Sequence, residues 1–316
     1  MEYRRLGHSG LKVSAVGLGT WLNFGSHLGD PEAGRIVRKA LESGVNLIDL
    51  ADVYADGKAE EQLGRLLQGV RRESYVLATK AFFPMGQGPN DKGLSRKHLF
   101  ESVHASLRRL HTDCIDLFQC HRFDPETPVE ETVRAFGDLI GQGKVHYWGV
   151  SLWTALQIEE AAAVAKELGA PPPVSNQPPY SLMNREIEAE VVPMCRKKGL
   201  GILSFSPLAQ GVLTGKYLEG TRPESSRAAD PRRNQFMQKY MGEQQLRSVA
   251  KMRDLAKAAG MPMARLALAW VLANPLVASV LVGVTTEAQL VENVAAAGTK
   301  LDPGLKTELD RLFPAA

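Results

Sequence analysis

Short apolar runs alternate along the chain with longer stretches in which apolar residues return every three or four positions, and the alternation repeats eight times. Runs bounded by polar or glycine-containing segments predict strands, and the longer helical period predicts helices. Strands are expected at Ala15–Gly19, Val45–Leu50, Tyr75–Lys80, Ile115–His121, Val145–Ser151, Val174–Gln177, Gly201–Ser206 and Val277–Gly283. Helical patterns fill Glu32–Ser43, Ala59–Gln68, Arg96–Leu110, Val129–Gly141, Ala155–Leu168, Arg185–Lys198, Glu243–Ala259 with Ala264–Ala273, and Glu287–Ala297. Asp30-Pro31 reads as an N-cap followed by a first-turn proline, and Gly44 stops that helix; Thr127-Pro128 and Gly169 read the same way.

Eight strand-then-helix units predict an α/β fold, a (β/α)8 TIM barrel rather than a doubly wound sheet. "YRRLGHSGLKVS" adds an N-terminal β-hairpin around His8-Ser9-Gly10. Two segments stand outside the pattern: a long loop after strand 7, Pro207–Gly242, and a terminal helix over Asp302–Phe313. Loops of such length in compact domains are usually functional. No low-complexity linker divides the chain, so residues 1–316 are expected to form a single barrel domain.

Composition narrows the classes. With 44% hydrophobic and 23% charged residues the chain is an ordinary globular sequence. Its 38 basic and 35 acidic residues are too evenly balanced to suggest nucleic acid, and the doublets Arg4–Arg5, Arg71–Arg72, Arg108–Arg109 and Arg232–Arg233 read as solvated helix ends. Cys114, Cys120 and Cys195 form no CxxC, and the first two read as small core residues. No signal core and no run of 18 apolar residues is found, which points to a reduced cytoplasmic protein without membrane insertion. The histidines (His8, His27, His98, His104, His111, His121 and His146) show no HxH or HExxH spacing, so no metal site is expected. They mostly read as solvated helix or loop residues.

Barrels carry their sites where the strands end. The expected ends are Thr20, Asp49, Lys80, His121, Ser151, Gln177 and Ser206, with Thr285 just beyond the eighth strand. Any one could be a strand end meeting solvent; together they indicate an active site. Tyr54 follows Asp49 in a glycine-containing loop. A phenol is a poor acid at neutral pH, and a nearby ammonium lowers its pKa, while a carboxylate keeps that ammonium charged. Asp49, Lys80 and Tyr54 are such a set, and His121 can share the proton or orient a substrate oxygen.

These residues carry a resemblance to the aldo-keto reductases. "GLGTW", "IDLADVYADGKAEEQLG", "VLATK", "CIDLFQCHRFDPETPVEETV", "YWGVSLW", "NQPPYSLMNRE", "SFSPLAQGVLTGKY" and "LVGVTTEAQLVEN" occur in that order over nearly the whole chain. "MEYRRLGHSGLKVS" and "KGLSRKHLFESV" resemble the branch containing potassium-channel β subunits and their bacterial reductase relatives. The resemblance implies an enzyme that binds NADPH (NADP+ in its oxidised form) and reduces small aldehydes or ketones. It implies Asp49, Tyr54, Lys80 and His121 as the catalytic set, with Tyr54 as proton donor. Ser151 and Gln177 match the holders of the nicotinamide carboxamide, and Phe205 the aromatic stacked on its ring. Ser206, Pro207, Leu208 and the Gly211–Lys216 stretch match the loop over the pyrophosphate. Thr285, Gln289, Glu292 and Asn293 match the adenosine end. Thr20, Trp21 and Gly283 complete the expected cofactor set. Lys216, Thr285 and Gln289, with Arg227, are the expected donors to a 2′-phosphate, Gln289 standing where the family has an arginine.

Two departures bear on function. Leu152 replaces the asparagine of the family's "GVSN", and His121 stands where the channel subunits carry asparagine, which favours a working reductase. The competing class is a cofactor-binding regulatory subunit resembling a potassium-channel β subunit. It would be favoured by a long N-terminal extension, whereas this sequence opens at the hairpin. Tyr54 and Lys58 also spell the YxxxK of short-chain dehydrogenases, but Leu22 occupies the third glycine position of GxGxxG, so that reading fails. Trp21, Phe24, Phe82, Phe83, Trp153 and Tyr180 are expected to wall the substrate pocket. A homo-oligomer is left open.

Overall fold

The chain opens with an antiparallel hairpin, β1 (Tyr3–Arg5) and β2 (Lys12–Ser14). It is seen in a computed structural model that describes residues 1–221, 223, 226–230 and 234–315. Its turn docks on the chain near Gly199, whose carbonyl accepts from the His8 N–H at 2.8 Å. Gly7 permits this approach: its φ is +59°, and a Cβ there would stand 2.2 Å from the Gly199 oxygen. Leu6 and Val13 pack with Leu47, Val76, Leu117 and Leu203, so the hairpin stops the barrel at the end where the strands begin.

Eight parallel strands close on themselves in the order β10-β3-β4-β5-β6-β7-β8-β9. They are β3 (Val16–Gly19), β4 (Leu47–Asp49), β5 (Val76–Ala81), β6 (Ile115–Cys120), β7 (Val145–Val150), β8 (Ser175–Asn176), β9 (Gly201–Ser204) and β10 (Val277–Val282). Around them lie α1 (Asp30–Glu42), α2 (Lys58–Leu66), α3 (Arg96–Leu110), α4 (Val129–Gly141), α5 (Ala155–Glu167), α6 (Val191–Lys198), α7 (Glu243–Ala258), α8 (Met263–Leu272), α9 (Glu287–Val294) and α10 (Pro303–Leu312). This is the expected (β/α)8 barrel. Side chains alternate across each strand, so one set fills the small inner core and the other packs under the helices, as where Phe136 of α4 stacks on Trp148 of β7 at 4.7 Å.

Several local expectations are corrected. Asp30 is the first residue of α1, not its cap; Gly29 holds the cap position, and the Asp30 carboxylate instead accepts from Gln62 and Arg65. Pro128 precedes α4 while the Thr127 hydroxyl donates to Asp124 at 2.7 Å. Gly44 and Gly169 do stop their helices, with φ of +81° and +61°. The expected helix from Arg185 divides into a short 3-10 turn at Glu186–Glu188 and α6. Pro193 is the reason: in α6 it falls in the first turn, where its missing N–H is tolerated, whereas an unbroken helix would place it inside. The sixth barrel strand shrinks to Ser175–Asn176 because prolines 171–173 and 178–179 flank it and cannot donate to a ladder.

The arginine doublets are also less solvated than expected. Arg4 donates to the Leu272 and Val277 carbonyls, Arg72 pairs with Asp116 at 2.7 Å, and Arg109 with Glu60 at 2.7 Å. Arg232–Arg233 lie outside the described residues. His98 is buried beside Ser102 rather than solvated, and burial holds its pKa below the ordinary value. Cys120 and Cys195 are buried, but Cys114 is only partly so and receives the Arg72 guanidinium. After β9 the long loop carries 3-10 turns at Ala209–Thr214, Leu218–Gly220, Arg227–Ala229 and Gln238–Tyr240. Among the described residues no single helix is long and apolar enough to cross a membrane.

Candidate active site

A cavity of about 1120 Å³ opens where the barrel strands end, and Asp49, Tyr54 and His121 line it together with Ser151, Gln177, Phe205 and the expected residues of the adenosine end. Lys80 lies beneath, fully buried on β5. The strands set this geometry. Asp49 closes β4 in register with Ala78, two residues before Lys80, so both side chains enter the barrel at neighbouring levels. The three ammonium donors are all engaged: Lys80 Nζ reaches Asp49 Oδ2 at 2.7 Å, the Leu50 carbonyl at 2.5 Å and Tyr54 Oη at 3.3 Å.

Asp49 Oδ1 accepts from Gln177 Nε2 at 2.8 Å and from Gln119 Nε2 at 3.3 Å. Gln177 donates in turn to Gln119 Oε1 at 3.3 Å. Gln119 was not among the expected site residues, although a glutamine inside the apolar run of β6 was the available signal. Because the Gln177 amide nitrogen is drawn to Asp49 and Gln119, its carbonyl oxygen is the part left to meet a ligand.

The electrostatics follow. Burial works against the Lys80 ammonium, but Asp49 and then Tyr54 outweigh it and hold Lys80 above its ordinary value. Tyr54 corrects an expectation. Lys80 does draw its pKa down, but burial pushes it up more strongly, and the phenol stands above its ordinary value. His121 is pushed down to about 2 by burial, then by Lys80 and Arg122, so its imidazole is neutral at physiological pH. Its ring meets the Tyr54 ring edge-on at 5.8 Å, and its buried Nδ1 has no hydrogen-bond partner.

The rest of the cavity runs from this cluster to α9. The Ser151 hydroxyl donates to the Gln177 carbonyl at 2.8 Å. Phe205 rests on the inner barrel core and borders the cavity. Beyond it, Gln210 Nε2 donates to Ser206 Oγ at 2.6 Å, and Arg227 donates to Gln210 Oε1. Two glycines face cations here. A Cβ on Gly211 would stand 3.2 Å from Lys216 Nζ, and one on Gly283 would stand 3.4 Å from Arg227 Nη2. Thr285 donates to Gln289 Oε1 through its N–H at 2.9 Å, and Thr286 caps α9 by accepting from the Gln289 N–H. Glu292 is exposed and Asn293 buried on the same helix.

Trp21, Phe24 and Phe83 line the cavity as expected; Phe82, Trp153 and Tyr180 do not. Trp153 packs on Phe123 at 5.0 Å, and Tyr180 turns away to Glu188 and Trp270. Phe82 stands behind Phe83. Lining residues that were not anticipated include Asn23, Arg122 and Phe236, the last edge-on to Trp21 at 4.9 Å. Backbone strain also collects at this mouth. Leu22, Ala55, Leu152, Ser206 and Gln210 all have positive φ and line the cavity, the distribution expected when strain serves a site. Among the described residues no group of three His, Cys, Asp or Glu side chains could hold a metal ion.

The model of the Aldo/keto reductase family matches residues 15–312. The chain is 45% identical over 299 residues to a probable voltage-gated potassium channel subunit beta of Oryza sativa subsp. japonica, covering 94% of this chain and 91% of that protein. It is 44% identical, with the same coverage, to a protein of the same description from Arabidopsis thaliana.

Proposed function

The chain belongs to the aldo/keto reductase family, and from that premise we propose that it is a single-domain cytoplasmic reductase that converts aldehydes or ketones to alcohols with NADPH. The observation that carries this reading is Lys80 joining Asp49 to the Tyr54 hydroxyl at the floor of a large cavity.

The residues present fit the dinucleotide. Gly211 and Gly283 leave room for close backbone approach beside Lys216 and Arg227, cations suited to phosphate. Ser151 and Gln177 would hold the carboxamide, and Phe205 would stack on the ring. Thr20, Trp21, Ser206, Pro207 and Leu208 would border the nicotinamide and pyrophosphate. Thr285, Gln289, Glu292 and Asn293 would take the adenosine, next to the N-terminus of α9. When bound, the nicotinamide supplies a hydride to the carbonyl carbon.

The protein's own part is to place and protonate the carbonyl oxygen. Tyr54 Oη donates that proton, and its raised pKa keeps the phenol protonated between turnovers. Lys80 stabilises the phenolate left behind, and Asp49 keeps Lys80 charged in a site that excludes water. Neutral His121 can donate to the same oxygen and orient it without adding a charge. The test is consumption of NADPH and NADH with a panel of simple aldehydes and ketones. Turnover is expected, with NADPH bound more tightly than NADH at low salt and the gap narrowing as salt rises. Absence of turnover across the panel would overturn the reading.

One observation favours a second reading: the relatives at 44–45% identity bear the name of channel β subunits. A regulatory subunit would bind the cofactor and turn over no carbonyl substrate. The presence of a histidine at 121 argues for the enzyme.

A further inference from the structure

Arg122 follows His121 at the end of β6, and its side chain lines the same cavity as Tyr54 and Phe83. It is partly buried. Arg227 and Arg265 donate to the Gln210 amide oxygen and the Thr299 hydroxyl, and four other partly buried arginines close on carboxylates: Arg4 on Glu2, Arg72 on Asp116, Arg109 on Glu60, and Arg185 on Glu188 and Asp310. Arg122 does not. Among the described residues its contacts are the His121 carbonyl, which accepts from Nη1 at 2.5 Å, and the Phe83 ring, whose centroid lies 5.1 Å from the guanidinium carbon. A guanidinium has five N–H donors in a planar fork suited to carboxylate or phosphate, so most of this fork is uncommitted.

The cavity holds little that would compete for it. Among the described residues its acidic lining residues are Asp49, already bonded by Lys80, Gln119 and Gln177, and Glu292 at the opposite, α9 end. The rings of Phe83 and Tyr54 both stand against His121, at 5.0 and 5.8 Å, so Arg122 belongs to the wall beside the Tyr54 hydroxyl. Burial lowers the Arg122 pKa, and the titratable group that opposes this is the Tyr54 phenol. A partly desolvated cation without a carboxylate gains most from a ligand that brings the anion.

We propose that Arg122 selects the substrate: this site prefers aldehydes and ketones that carry a carboxylate or phosphate, seating the anion on the Arg122 guanidinium while the carbonyl oxygen meets Tyr54. The inference rests on the reductase reading and adds to it a substrate class and a residue. It requires no further chemical step, because the anion is bound and released unchanged.

The test uses the holoenzyme with saturating NADPH and matched pairs: para-carboxybenzaldehyde against its methyl ester, and glyceraldehyde phosphate against glyceraldehyde. The kcat/KM ratio of anionic to neutral member is expected to be roughly ten- to a hundredfold, the range for hydrogen bonds to a charged group. The preference should reside mainly in KM and weaken with salt. Arg122→Met and Arg122→Gln should each bring the ratio near one, while Arg122→Lys retains part of it. Both members of a pair meet the same catalytic groups, so general damage cancels in the ratio, and two neutral replacements guard against one that misfolds. A preference confined to one pair identifies carboxylate or phosphate as the recognised anion. Turnover of the neutral members with no anionic preference, or a preference that survives both neutral replacements, overturns the inference and leaves the reductase reading standing. No turnover of any member overturns both.

Discussion

Two buried ion pairs lie on opposite faces of β5, one residue apart. Lys80 turns into the barrel and meets Asp49 at 2.7 Å; Thr79 turns outward and donates at 2.6 Å to Glu60, which meets Arg109 at 2.7 Å. The exposures are similar too, 0% and 5% for the inner pair against 20% for Arg109 and 0% for Glu60. The inner pair opens on the cavity through Tyr54, whereas Thr79, Glu60 and Arg109 lie away from it, where β5 packs under α2 and α3. Distance and burial therefore do not distinguish the ion pair we propose to be reactive from the other. What differs is the third donor of Lys80, which ends on a titratable hydroxyl that a ligand can reach. Asp52 sits between the two regions: its N–H donates to the Lys80 carbonyl at 3.0 Å, and its side chain faces Glu60 and Arg109.

The contrast can be broken most directly at its reactive end. Tyr54→Phe is expected to lower turnover by roughly 10²–10⁴-fold, the usual contribution of a positioned acid, while NADPH affinity and thermal stability stay near those of the parent. Near-normal turnover would remove Tyr54 from the chemistry.

Cutting each pair at its cation sharpens the comparison. Lys80→Met and Arg109→Met should each cost about 3–5 kcal/mol of stability, because each leaves a buried carboxylate uncompensated. Denaturant titration measures that. Only Lys80→Met should also abolish most activity per folded molecule and raise the apparent pKa governing reduction, since the phenolate loses its cation. If Arg109→Met lowers kcat as much as Lys80→Met, the two regions are not functionally distinct.

Asp52 offers an effect with a defined pH window. Burial, and then Glu60, push its carboxyl up to about 8, against the Val53 N–H, Arg109 and Lys80, and its Oδ2 has no hydrogen-bond partner. Between the ordinary value of 3.8 and about 8 the folded protein keeps a proton that the unfolded chain releases. Stability contributed by this group is thus complete below the lower value and declines as pH rises through the window. Asp52→Asn should flatten that decline and gain up to roughly 5 kcal/mol near its upper end, the span of about 4 pK units at about 1.4 kcal/mol each. Parallel pH–stability curves for parent and variant would contradict the assignment.

The smallest expected effect is at Leu152, a leucine held at φ +60° at the cavity wall. That conformation costs an ordinary L-residue about 1–2 kcal/mol and suits asparagine better. Leu152→Asn should therefore raise the melting temperature slightly and tighten NADPH binding by a few-fold, for roughly 0.5–1 kcal/mol in each case. A destabilised variant would mean that the leucine's apolar contacts outweigh the strain.

These differences follow the line between what a local pattern can and cannot specify. The eight strands, the helices between them and the polar residues at the strand ends were legible because burial periodicity is written into consecutive residues. Asp49, Lys80 and His121 could be picked out because each ends an apolar run. Caps were less secure. Asp30 had a better tertiary use, binding Gln62 and Arg65 more than thirty positions away. Neighbours such as Phe82 and Phe83 share a composition and a loop, yet only one borders the cavity. Glu60 and Arg109, 49 residues apart, gave no sign of their pairing.

The order of the chain's apolar and polar positions was enough to specify a closed barrel and the end at which most of the polar residues around the cavity gather. Folding decided which partner each polar group meets and how dry it becomes. It turned Gln119 and Gln177 onto Asp49, raised Tyr54 above its ordinary pKa despite Lys80, and left Arg122 facing the cavity with no carboxylate partner among the described residues. Hydrophobic period is a property of neighbouring residues, whereas desolvation and pairing arise only when segments distant in sequence close around the same small volume.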